Sequence, residues 1–171
     1  SNNTAMGYNA GAAVTTGVDN TFIGGLAGDA TTDADGNVAV GKSALSGNVL
    51  GGASVAIGKN ALAAQNPASA TSMLNTAVGA NAGLSVTTGI QNTLIGALSG
   101  DAITTANNNT AVGKSSLSAT TTGGENTAVG TNALATNTTA SNNTAVGTNA
   151  LKVNTTGASN TAVGQAALQD N

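Results

Sequence analysis

Asp29, Asp33 and Asp35, followed at once by Gly36 and Asn37, come nearest to a chemical site in this sequence. Alternating carboxylates before a glycine are what a calcium loop uses, because several oxygens must converge on one hard cation. The spacing does not complete such a loop. An EF-hand needs an acid where Thr31 stands and a glutamate where Lys42 stands, and a second copy of the segment carries Thr105 and Asn107 in place of Asp33 and Asp35. The cluster reads as a polar surface turn, and no metal ligand is assigned.

Other chemistries lack their parts. The chain has no His, Cys, Arg or Trp, which removes the usual general bases, thiolate ligands and phosphate clamps. Its many Ser and Thr have no partner to activate them as nucleophiles, so they read as turn and strand residues. The glycine-rich stretch from Gly24 to Gly28 precedes no helix and makes no nucleotide loop. Asn-x-Thr sequons at Asn2, Asn108, Asn137, Asn142 and Asn154 are by-products of a repeat, and no glycan is assigned. No catalytic residue and no cofactor is expected, and the chain reads as non-enzymatic.

Composition limits what could position any site. Charged residues make up 6 % of the chain with a net charge of -3, which offers no basic patch to nucleic acid. Aromatic residues make up 1 %, namely Tyr8 and Phe22, so a thick conventional core cannot be filled. With a single Pro and a strict repeat, the chain is ordered, not disordered. No 18-residue apolar run or signal-like segment is present, so no membrane contact is expected within this segment, and if the parent protein is exported the segment is an internal piece of it.

The organising feature is a phrase close to Asn-Thr-Ala-Val-Gly that recurs ten times. Its glycines are Gly7, Gly24, Gly41, Gly58, Gly79, Gly96, Gly113, Gly130, Gly147 and Gly164, and the units begin near residues 3, 20, 37, 54, 75, 92, 109, 126, 143 and 160. Eight of the nine intervals are 17 residues and one, from Gly58 to Gly79, is 21, which places a protruding loop insertion within 65–74, around Pro67. Residues 3 to 46 also resemble residues 75 to 118 at a constant offset of 72, so four units were duplicated as a block. Seventeen residues are too few for a helix pair, and Thr, Asn and Gly are poor helix formers. They suffice for one coil with two short strands, the first at Thr-Ala-Val and the second near the following Ala-Leu, joined by Gly and Asn/Thr-rich turns. The fold class expected is all-β: a parallel β-roll or solenoid of ten coils, about 48 Å tall at the spacing of paired strands, as one repetitive segment over 1–171.

Each place in the coil has a predicted task. Neighbouring strand residues face opposite sides, so the Val, Ile or Met column and the Ala column before it lie on different faces, both apolar. One fills the roll and the other meets a partner, most economically identical chains, with small Ala allowing close approach about an axis. Asn3, Asn20, Asn37, Asn75, Asn92, Asn109, Asn126, Asn143 and Asn160, interrupted by Ser54, would stack as a structural ladder of amides. The phrase glycines would supply turns closed to other residues, and Lys42, Lys59 and Lys114 just after them should face water. Size is traded between strand and turn: coils two and six place Phe22 and Leu94 on the strand and Gly28 and Gly100 where other coils have Leu.

The phrases at 126 to 134 and 143 to 151, Asn-Thr-Ala-Val-Gly-Thr-Asn-Ala-Leu, and at 54 to 62, Ser-Val-Ala-Ile-Gly-Lys-Asn-Ala-Leu, resemble the head repeats of trimeric autotransporter adhesins, which also occur in bacteriophage tail fibres. The unit here is longer by a Thr-Thr-Gly-like turn, as at Thr15-Thr16-Gly17 and Thr87-Thr88-Gly89. The resemblance implies a left-handed roll, a homotrimer and an adhesive place outside the cell, on a bacterial surface or a virion, facing an unidentified host-surface receptor or matrix. Two other functions are weighed beside it: a mechanical filament without a receptor, and an ice- or crystal-binding solenoid suggested by the Thr-Thr pairs at the coil corner. Those pairs lapse at Thr32-Asp33 and Val49-Leu50.

Overall fold

Most repeat phrases supply three residues suited to a short strand, a small one between β-branched neighbours, with Phe22 and Leu94 as large middle residues and Met6 as the one unbranched neighbour. In the computed structural model, which describes residues 2–171, these become β1 (Thr4–Met6), β2 (Thr21–Ile23), β3 (Val38–Val40), β5 (Val55–Ile57), β7 (Thr76–Val78), β8 (Thr93–Ile95), β9 (Thr110–Val112), β10 (Thr127–Val129), β11 (Thr144–Val146) and β12 (Thr161–Val163). They pair in chain order as one ten-stranded parallel sheet, while β4 (Gly51–Gly52) and β6 (Thr71–Ser72) pair separately. The ten strands enclose nine complete turns of an all-β parallel solenoid, with no helix among the described residues. Register is constant: Thr lies on Thr, Ala on Ala and Val on Val from β9 to β12, and the same columns continue across the insertion, where Val55 pairs Thr76.

The middle residue of each strand points into the coil. Phe22, Ala39, Ala56, Ala77, Leu94, Ala111, Ala128 and Ala145 are fully buried. Leu45, Leu62, Leu117, Leu134 and Leu151 come from the opposite wall to meet them. The exchange of size between these positions is visible in the packing. A Cβ on Gly28 would fall on the Phe22 ring, and one on Gly100 would sit 2.7 Å from Leu94 Cδ2. Each large strand residue also reaches the coil before its own, since Gly11 and Gly83 would place a Cβ 2.8 Å from Phe22 and Leu94. One bulky side chain is thus accommodated by two glycines.

The second strand expected near each Ala-Leu does not form, because those leucines are left-handed. From Leu45 to Leu168, the six leucines at this place have φ between 47° and 53°, and the residue two before each, such as Asn60 or Asn132, is left-handed as well. Alternating left-handed residues curl the chain too tightly for an extended strand. A left-handed non-glycine costs about 1–2 kcal/mol. Leucine burial and inter-coil bonds offset this: Leu45 N–H donates to the Ala61 carbonyl at 3.0 Å and Leu62 N–H to the Ala82 carbonyl at 3.1 Å.

The insertion leaves the stack intact. Asn66 N–H reaches the Thr87 carbonyl and Gln91 N–H the Met73 carbonyl, both at 2.9 Å, which are the bonds uninterrupted coils make at those places. The four added residues therefore lie within 67–72, where Ala68, Ser69 and Ala70 are exposed and Thr71 and Ser72 pair with the coil before as β6. Pro67 itself does not protrude. It is buried at the base of the loop, a place where a residue without an N–H leaves no donor unbonded.

Candidate functional site

Two interior features repeat in every coil. Along the asparagine column, each Oδ1 accepts the backbone N–H of the asparagine one coil further on: Asn20 to Asn3 at 2.8 Å, Asn92 to Asn75 at 2.9 Å, Asn109 to Asn92 at 3.0 Å. From Asn3 to Asn126 each Nδ2 donates across its own coil to a carbonyl fourteen residues ahead, as Asn20 does to Ala34 at 2.8 Å and Asn109 to Gly123 at 3.0 Å. The amide closes the coil on itself and ties it to the coil after. Where Ser54 interrupts the column, Gln65 fills the gap. Its Oε1 lies 3.2 Å from the Ser54 hydroxyl and accepts from Asn75 Nδ2 at 3.0 Å. Nothing local in the sequence marks Gln65 for this task, since it lies eleven residues from one partner and ten from the other. Asn143 is the weak rung, with a buried Nδ2 that has no partner.

The phrase glycines form the second column, with φ from 127° to 137°. A Cβ on Gly24 would lie 2.7 Å from the backbone of Gly41, so each glycine is required twice, by its own φ and by the next coil. Gly164 alone has no coil beyond it, and its nearest contact would be Ala167 Cβ at 3.9 Å.

Outside the sheet, two columns stand in water. The first strand position holds Thr in eight coils and Val38 or Val55 in the other two, and the third holds Met6, Ile23, Val40, Ile57, Val78, Ile95, Val112, Val129, Val146 and Val163. Coil stacking partly covers these side chains, yet Ile57, Ile95 and Val146 keep 38 %, 39 % and 36 % of their surface exposed. The strand alanines lie inside the coil, so they cannot line an axis between chains; the outward apolar column is the Val/Ile one.

The coil corner is occupied differently. Thr87, Thr104 and Thr121 donate their hydroxyls to carbonyls of the next coil at 3.1 to 3.3 Å, so the first threonine of each corner pair, the feature that suggested ice or crystal binding, holds coils together, while the second, as at Thr88, Thr105 and Thr122, is exposed. The acidic cluster is committed as well. Asp33 Oδ1 accepts from Thr16 at 2.6 Å and Thr15 at 2.8 Å, and these hydroxyls, Thr16 foremost, hold its carboxyl below the ordinary aspartate range. Asp35 accepts the Val18 N–H at 2.8 Å, the task that Asn107 performs for Ile90 in the duplicated block. Asp35 and Asn107 are thus interchangeable backbone caps. Among the described residues no three acidic, His or Cys side chains gather to hold a metal ion. Lys42, Lys59 and Lys114 face water, and of the sequon asparagines Asn137 and Asn154 are buried.

The fold and these columns define a repeat-built parallel β-solenoid. No family model, no curated protein and no solved structure matches this chain.

Proposed function

We propose that the chain is a non-catalytic, rigid segment of an extracellular fibre, a surface adhesin or a tail fibre, that displays one repeated surface along its length. The observation that carries this is the constant register of ten strands whose outer columns are uncharged and partly exposed, while the polar interior columns are spent on the stack. A surface that repeats every coil gains by repetition what a single contact lacks. Small-angle scattering on the purified chain tests the rod: an elongated particle is expected, and a compact or expanded one defeats the reading.

A homotrimer is the second reading, favoured by the half-exposed Val/Ile column, which three parallel copies would turn toward a shared axis. Sedimentation equilibrium measures it directly. A mass of three chains supports it and a stable monomer of 16.0 kDa ends it.

A further inference from the structure

The strip formed by the two outward columns has chemistry that a protein partner would use poorly. Three residues wide and ten strands long, it covers about 10 Å by about 43 Å. That is roughly half of the about 800 Å² per partner that stable protein interfaces bury, and in a trimer two neighbours would share it. One column is hydroxyl-bearing: Thr76, Thr93, Thr110, Thr127, Thr144 and Thr161 stand on consecutive coils. None of these hydroxyls has a hydrogen-bond partner in the structure, so burying them against protein would strand a donor at every coil. In water they remain satisfied. Val38 and Val55, the substitutes in the column, keep the branched shape of Thr, and neither column carries a charge.

We propose that this strip binds ice. Hydroxyls and methyls that alternate across the strand, repeated at the fixed strand spacing of about 4.8 Å, hold a row of waters at each of the eight Thr-bearing coils, bonded to Thr and seated between Val/Ile methyls. A water held in this way is bonded nearly as well as by a direct hydrogen bond and costs little to order. Eight in fixed register, six of them on consecutive coils, present a lattice that growing ice can incorporate. The inference rests on the rod reading and names its partner: a periodic water surface in place of a protein receptor.

The test is partition of the 171-residue chain into slowly grown polycrystalline ice, with thermal hysteresis measured in parallel. Wild type is expected to enter the ice and depress its growth point. Thr127→Lys, at the centre of the strip, is expected to lose most of both effects while keeping the wild-type melting curve. Thr122→Lys, on the exposed corner, is expected to keep them. Exclusion of the wild type from ice overturns the proposal, as does equal loss in both variants. A rod that scatters as an elongated particle yet is excluded from ice overturns ice binding alone, whereas a chain with no rod overturns both readings. A trimer with the strip protected from solvent returns the strip to self-association.

Discussion

The carboxylate of Asp101 is left partly unserved by the fold, with one oxygen buried and unbonded. Burial raises its pKa above the ordinary aspartate value. A raised folded-state pKa means that folding favours the protonated form. The stability it contributes is full below the unfolded pKa and is lost as pH rises through the folded one. Asp101→Asn is therefore expected to raise the melting temperature at neutral pH and to change it little in acid. Asp33 has the opposite sign, since the Thr16 and Thr15 hydroxyls lower its pKa. Its contribution is present above the unfolded pKa and disappears as pH falls through the folded value. Asp33→Asn should then lower the melting temperature at neutral pH and converge with wild type in acid. Melting curves over an acid-to-neutral series check both, and a pH-independent effect of either substitution would refute the assignment.

The coil, as an element, absorbs change where its bonds to neighbours are kept. Since Asn66 and Met73 already occupy their regular places, deleting residues 68–71 should restore a 17-residue unit and keep the ten-stranded stack, at the cost only of the pair that Thr71 makes with Gly51. The deletion is expected to keep the circular dichroism spectrum and a cooperative melt, and loss of cooperativity would show that the loop belongs to the fold. Much of this was readable from residues: the phrase period gave the solenoid, and the Phe22–Gly28 pairing gave the shared interior. The second strand was misread because an Ala-Leu pair looks apolar and extended, while its left-handed φ is set by contacts with the next coil, which no local pattern records. Pro67 was read as exposed for a related reason, since its burial depends on coils that pack around the loop base. The task of Gln65 was not legible because it arises only when Ser54 and Asn75 are brought together by stacking. The outward Thr column looked like ordinary strand composition until the sheet placed six threonines on consecutive strands.

Across the whole molecule each strand touches only the strands beside it, so stability is a sum over coils and the interfaces between them. Two glycines separate these parts. Gly96 and Gly164 have nearly the same φ, 130° and 129°, so alanine at either incurs the same backbone strain, of order 1–3 kcal/mol. They differ in what lies beyond. A Cβ at Gly96 meets the backbone of Gly113 at 2.6 Å, whereas one at Gly164 meets only Ala167 Cβ at 3.9 Å. Gly164→Ala should therefore fray the last coil alone, leaving the main transition nearly unchanged. Gly96→Ala forces two coils apart in the middle of the stack and should either lower the single transition markedly or split it, as the halves on each side of the damaged interface melt independently. Calorimetry on the two variants reads the difference, and equal shifts would mean that φ strain, not the close approach of coils, explains why glycine stands at this place in all ten repeats.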